Sequence, residues 1–510
     1  MLIEALIAVT LVAALVVFLI PEAYAPQVAF VLSLLPLAGS LYMWTRFDAS
    51  GNALLEGSTV AFETQAQWIA LDPYAINWHV GLDGVSFPLL VLTTVLVPLA
   101  IMSAWTPIQE RISQFYGLVL FMEASLIGVF STLDFFVWFV FWEAVLIPMY
   151  LLIGVWGGPR RKYAAIKFFV YTNVASLVMF IGFITLVFAL GDSVTSFGMA
   201  EITQALHNGE LSGVAGLGPD TVALLCFVAI FFGFAVKVPI FPVHTWLPDA
   251  HVEAPTPVSV LLAGVLLKMG TYALLRFNFT MLYDVAAALA VPIAALGVFS
   301  VIYGAMLALA QQDLKRIVAY SSISSMGYVI LGLVAFTVYG IGGATFQMVA
   351  HGLISGLMFM AVGVIYNATH TRMVGDISGM ADRMPIAVGI LIAAAFGYMG
   401  LPLMAGFAGE FMIFLGAFQS TVLPSAPIFT AVAMFGIVIV AGYLLFAMQR
   451  TLFGEYRLAT DYEVTRAPLH DVVPLFVLIG LIILLGVDPD IFFTMIQDAV
   501  DPLAELGGGL

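Results

Sequence analysis

Apolar runs of about 20 residues, the length that crosses a bilayer as a helix, recur from one end of the chain to the other with short polar stretches between them. Counted in order they give about 14 spans, near 2–20, 27–45, 83–105, 114–132, 134–156, 164–190, 220–242, 256–277, 285–309, 315–337, 341–366, 385–417, 427–453 and 471–489. The pattern predicts an all-α polytopic membrane protein. Residues 1–25 imitate a secretory signal ending in Ala23-Tyr24-Ala25, yet they carry Glu4 and no Lys or Arg, so they read as the first membrane helix. The stretch 198–207, between spans six and seven, is too short to cross and reads as a small amphipathic surface helix or a loop.

The basic residues test that count. If loops after odd-numbered spans face the cytoplasm, that side receives Arg111, Arg160, Arg161, Lys162, Lys167, Lys315, Arg316, Arg372, Arg383, Arg450, Arg457 and Arg466, and the other side only Arg46 and Arg276. This is the positive-inside pattern, and it puts both termini on the outer side of an inner (plasma) membrane. Two spans are interrupted by helix breakers: span seven at Val238-Pro239 and span twelve at Gly400-Leu401-Pro402. They lie five spans apart, so spans four to eight are expected to recur, with inverted topology, as spans nine to thirteen. The chain then divides into 1–110 (three helices and an acidic outer loop), 111–280 and 281–455 (the two repeats) and 456–510 (a loop and the last helix).

Composition sharpens the class more than the function. Hydrophobic residues make up 62% and charged residues 9% of the 510 positions, against about 25% charged in soluble domains. The formal charge of −15 sits mostly in the predicted loops, for example Asp48, Glu56, Glu63, Asp72 and Asp83. The single Cys226 lies in an apolar run, which removes disulfide frameworks and cysteine metal sites. The sequence has no P-loop, GxGxxG, HExxH or ferredoxin-type spacing, so it is expected to hold no nucleotide, metal or redox cofactor and to bind no nucleic acid.

Against that apolar background the buried charges stand out. Lys237 and Lys268 fall inside spans seven and eight, and a lysine at mid-membrane depth costs roughly 2.5 to 3.5 kcal/mol on insertion scales. Glu143 lies in span five within FWEAVLIPM, His351 in span eleven within MVAHGL, and Glu410 after the break of span twelve within GFAGEF. Glu123 in span four is a weaker member. An ammonium out of water gives up its proton more readily, and a carboxylate close by reverses that, so the separation of such a pair gates a proton. Histidine passes protons between its two ring nitrogens. The row Glu143, Lys237, Lys268, His351, Glu410 therefore reads as a proton path, with Ser321, Ser322, Ser324, Ser325 and Gln347 as holders of connecting water. The alternatives are a structural Glu143–Lys237 ion pair, a packing role for His351, and simple loop capping by His244 and His251 around HTWLPDAH. Gly352 and Gly356 form a GxxxG whose expected role is helix packing.

At these residues the chain resembles a known family. FPVHTWLPDAHVEAPTPVSVLLAGVLLKMG, the FWE of span five, DLKRIVAYSSISSMGY and MVAHGL look like the signature of the antiporter-like subunits of complex I (NADH-quinone oxidoreductase) and of the related multi-subunit Na+/H+ antiporters. The resemblance covers about residues 80–455, and glutamate rather than lysine at Glu410, with few residues after span fourteen, is similar to the M-type branch. It implies that Glu143, Lys237, Lys268 and Glu410 are proton-path residues, with His351 as a relay. It also implies L-, N- and K-type membrane neighbours and a peripheral redox arm, whose subunits hold the quinone site, iron–sulfur clusters and any FMN. One position departs: Ser325 stands where the family often has histidine, so the link from Lys268 to His351 is expected to run through water or through Ser324 and Ser325. A subunit of a multi-subunit Na+/H+ antiporter is the second reading.

Overall fold

A computed structural model describes residues 1–464 and 466–508. Among the described residues, thirteen helices are long and apolar enough to cross a membrane. Span twelve is carried by two shorter ones, Pro385–Tyr398 and Ala405–Gln419, which complete the fourteen. Each of these ends where its sequence predicts, within a few residues.

Matched spans share matched caps. Asp134 opens span five (Phe135–Trp156), its Oδ1 accepting from the backbone N–H groups of Phe136 and Val137 at 2.9 and 3.3 Å. Asp313 opens span ten (Leu314–Val334) in the same way, accepting from Lys315 and Arg316 at 2.9 and 3.3 Å. Such a cap contributes about 1 kcal/mol by occupying orphan donors of the first turn. Spans five and ten are the same helix of the two proposed repeats, five apart and so running in opposite directions. Long third helices follow in both: Arg161–Leu190 and Val338–Thr369.

The loops sort into two separate faces. Among the described residues, segments after even-numbered spans bond one another and the span ends on the same side. Leu133 N–H donates to His79, Phe135 N–H to Phe197, Gly51 N–H to Asp498, and Tyr283 Oη–H to Leu506. Segments after odd-numbered spans do likewise: Gly158 N–H donates to Glu253, Leu314 N–H to Arg372 and Ala459 N–H to Asp376. This partition holds for an even number of crossings and matches the segregation of the basic residues.

Three elements modify the expected architecture. The acidic outer loop contains an antiparallel hairpin, β1 (Ala61–Ala70) and β2 (Ala75–Leu82). Its signal was a period of two: Ile76, Trp78, Val80 and Leu82 alternate with Asn77, His79 and Gly81. The stretch 198–207 is a helix, Met199–His207. Past span fourteen, Asp490–Leu506 forms an amphipathic helix that buries Phe492, Phe493, Ile496, Val500 and Leu503 on one face. Asp83, counted among the loop charges, is instead fully buried and paired with Arg276 at 2.5 Å, while Ala53, Val85 and Ser86 donate to its remaining oxygen sites. A buried pair without such extra bonds would not offset its desolvation.

Candidate functional site

Span seven ends at Lys237, on the last turn of Pro219–Lys237. The chain unwinds at Val238-Pro239 and resumes as a half-helix, Trp246–Glu253. The HTWLPDAH segment is thus the second half of the broken span rather than a capping loop. Trp246 Nε1–H donates to the Val236 carbonyl at 2.8 Å, so an acceptor freed by the break is satisfied from the other half. His251 lies on this half-helix, fully buried, stacked on Phe359 at 4.5 Å with neither ring nitrogen bonded, and therefore caps nothing. His244 is also buried, with Nδ1 unbonded.

The Lys237 ammonium is buried against aromatic faces, 5.1 Å from the Trp142 ring centre and 5.8 Å from Phe168. Such placement offsets part of the cost of removing a cation from water. Glu143 is half-buried; its Oε2 accepts from Asn173 Nδ2 at 3.4 Å and its Oε1 has no partner. Among the described residues Glu143 and Lys237 form no ion pair within 4.0 Å, so the static pair considered from sequence is absent and the two groups stand apart.

Span eight (Thr256–Met281) is entirely buried and is distorted on both sides of Lys268. Leu262–Leu266 and Leu274–Met281 are π-helical, a local widening that loosens the i→i−4 ladder and often marks functional positions. Lys268 Nζ donates to the Ala263 carbonyl within the first of these stretches, and lies 2.6 Å from His351 Nδ1. The close approach of the two helices makes this contact. A Cβ on Gly352 would stand 2.8 Å from the Gly264 carbonyl oxygen and 2.6 Å from Leu92, so only glycine fits beside His351. Gly270 is pressed in the same way against the Val238 backbone and Lys237 Cβ, which brings span eight to the break of span seven. The GxxxG of span eleven is therefore packing, as expected, and the packing sets the geometry of the relay.

This corrects the middle of the row. Lys268 meets His351 directly, so neither Ser324 nor Ser325 is needed between them. Ser324 Oγ–H donates to the Val301 carbonyl at 3.0 Å, and Ser325 is buried with no side-chain bond. Beyond His351 lies a residue that the sequence reading passed over: Tyr398, whose hydroxyl is 3.4 Å from His351 Nε2 and 3.5 Å from Ser322 Oγ. Its signal was available, a polar-tipped side chain in an apolar run two residues before the glycine of the break. Ser321 accepts from Tyr443 at 2.7 Å.

Glu410 sits in the second half of span twelve, nearly fully buried, with Oε2 unbonded and so close to Gly400 that a Cβ there would lie 2.6 Å away. Gln347 Oε1 is likewise buried and unbonded beside Gly409. Glu123 in span four is fully buried with both oxygens unpartnered. Unpaired buried carboxylates and ammonium groups are costly in a purely structural part of a fold. Spans five, seven, eight, eleven and twelve therefore each carry one titratable group within the bundle, the half-buried Glu143 and the buried Lys237, Lys268, His351 and Glu410, and of these Lys268 and His351 are in direct contact.

Residues 132–439 match the family described as NADH:quinone oxidoreductase/Mrp antiporter, TM. The chain is 38% identical over 485 residues to F(420)H(2) dehydrogenase subunit M of Methanosarcina mazei, covering 94% of this chain and 93% of that one. It is also 38% identical over 491 residues to NADH-quinone oxidoreductase subunit M of Rhodobacter capsulatus, covering 94% and 89%. In three dimensions it matches, over 100% of both chains, a chain of respiratory complex I from Thermus thermophilus with a TM-score of 0.85 at 27% identity. A chain of the Mrp complex from Dietzia sp. shares the fold, with a TM-score of 0.82 at 19% identity over 99% and 97% of the two chains. The chain belongs to the membrane-subunit family shared by NADH:quinone oxidoreductases and Mrp antiporters, and within it to the M-type subunits.

Proposed function

We propose that this chain is the M-type proton-translocating subunit of a complex-I-type quinone oxidoreductase, and that Glu143, Lys237, Lys268, His351 and Glu410 carry the proton. The observation that supports this best is the fully buried Lys268–His351 contact at 2.6 Å. It joins a π-distorted span to a histidine whose second nitrogen faces a further hydroxyl, an arrangement suited to groups that gain and lose protons. Glu123 is a side member of the same set.

In this reading the redox chemistry takes place elsewhere in the assembly. Quinone, iron–sulfur clusters and any flavin sit in partner subunits, and the electron donor (NADH, ferredoxin or another carrier) docks there. L-, N- and K-type membrane neighbours flank the chain, and both termini lie on the outer side. A change of field at the half-exposed Glu143 shifts the balance on Lys237, since in a low-dielectric interior a few ångström of carboxylate movement are worth kcal/mol.

The test is to purify the tagged chain from native membranes in mild detergent and identify its companions by mass. Iron–sulfur subunits and quinone-reductase activity in the purified material are expected. Small membrane subunits alone, with no redox activity, would move the same residues into a cation/proton antiporter.

A further inference from the structure

We propose that the Tyr398 hydroxyl is the relay that takes the proton from His351 and passes it to the hydroxyls of span ten, on the way to Glu410; this rests on the proton-path reading above. Three observations carry it. The first is geometric: the Tyr398 hydroxyl faces both His351 Nε2 at 3.4 Å and Ser322 Oγ at 3.5 Å.

The second is direction. When Lys268 carries its proton it has donors only, and it donates to His351 Nδ1. That leaves the neutral ring with its hydrogen on Nε2, aimed at Tyr398. Tyr398 then accepts with its lone pair, and its own hydrogen is free for Ser322. From Lys268 to Ser322 this arrangement points every bond the same way, and the Ser322 hydrogen rests on the Val318 carbonyl of its own helix. A proton arriving from Lys268 on Nδ1 breaks the Nε2–H bond as the new Tyr398 O–H bond forms, the phenol's original proton leaves to Ser322 Oγ, and Ser322 releases its own hydrogen, held on the Val318 carbonyl, to a water molecule on the way to Glu410. The phenol passes a proton without ionising, and the row is left reversed for the next one.

The third is placement at the break. Tyr398 ends the first half of span twelve, and the Glu410 carboxylate stands so near Gly400, two residues later, that a Cβ there would lie 2.6 Å from it. At Gly397 a Cβ would lie 3.1 Å from Ile354, so span twelve packs closely on span eleven one residue before the tyrosine. The His351 and Tyr398 rings meet edge-on at 89° with centres 5.6 Å apart, which keeps the hydroxyl near Nε2. The neighbouring Ser321 accepts separately from Tyr443 of span thirteen.

The experiment uses the whole complex in inverted membrane vesicles, reading proton uptake against quinone reduction, with assembly checked on native gels. Tyr398→Phe keeps the ring and its packing but removes the relay. Proton flux through this subunit should fall about a hundredfold, the scale of one lost proton-transfer group. Tyr398→His, which again offers a donor and an acceptor, should restore it. Wild-type pumping in Tyr398→Phe overturns the proposal. A loss in Tyr398→Phe that Tyr398→His does not recover assigns Tyr398 to packing and overturns it too. Lys268→Met separates the two levels: if Lys268→Met abolishes pumping and Tyr398→Phe does not, the relay alone fails, whereas intact pumping in both removes the proton path itself.

Discussion

Trp142 and Phe168 hold Lys237 without giving it a counter-ion, and this makes the residue a sensitive one. A cation resting on aromatic faces is stabilised in place, yet no salt bridge fixes its charge state, so movement of Glu143 can. Lys237→Met keeps the volume and the apolar contacts while removing the charge. It should leave the complex assembled and abolish proton movement by this subunit, as read by proton uptake at matched quinone-reduction rates; full pumping would remove Lys237 from the path. Ser325→Ala makes the opposite prediction. Because Lys268 reaches His351 directly, this replacement should leave pumping at wild-type level, and a loss would show that water at Ser325 is required after all. The ends of the row were legible from sequence because a charge in an apolar run is conspicuous. Its middle was not, because Tyr398 counts as half-apolar in any hydropathy reading, and its hydroxyl matters only through the three-dimensional approach of span twelve to span eleven.

Helix distances, rather than side-chain identities, set the relay's contacts. Span eight approaches span eleven at the Gly264–Gly352 pair, next to His351, and approaches the break of span seven at Gly270. Gly352→Val would drive branched carbons into the backbone carbonyl of Gly264 and into Leu92. Separation of the spans by about 1 Å should lower proton flux through the subunit on the order of tenfold or more, since proton transfer tolerates little misplacement. Gly356→Ala is the matched control, since a Cβ there meets only side-chain carbons at 3.3 Å or more. Equal flux in both variants would sever helix approach from proton transfer. At this scale the sequence showed the breaks of spans seven and twelve through their prolines and glycine. The π-helical turns around Lys268 have no such markers, because they are imposed by packing around a run of ordinary apolar residues. The hairpin and the terminal amphipathic helix were readable as periods of two and near four, but both were hidden by attention to long apolar runs.

The molecule as a whole has two faces with different chemistry. One collects the hairpin, the surface helix Met199–His207 and the amphipathic Asp490–Leu506; the other collects twelve of the basic side chains in its loops and helix ends. Basic residues resist translocation, and on that ground we propose the second face as the cytoplasmic one, with the hairpin outside. The hydrogen-bond partition between odd and even loops ties the loops on each face together: the bonded ones cannot be reassigned singly. Two exposed positions report it. Asp72→Cys lies in the turn of the hairpin, and Glu455→Cys lies between spans thirteen and fourteen. Cys226 is buried and contributes no background in sealed cells. A membrane-impermeant maleimide added to intact cells should label Asp72→Cys and leave Glu455→Cys untouched until the membrane is opened. The reverse pattern would invert the whole chain and send the proton from Glu410 toward Glu143. Labelling of both positions from outside would break the fourteen-span count, and with it the antiparallel relation of the two broken helices on which the path depends.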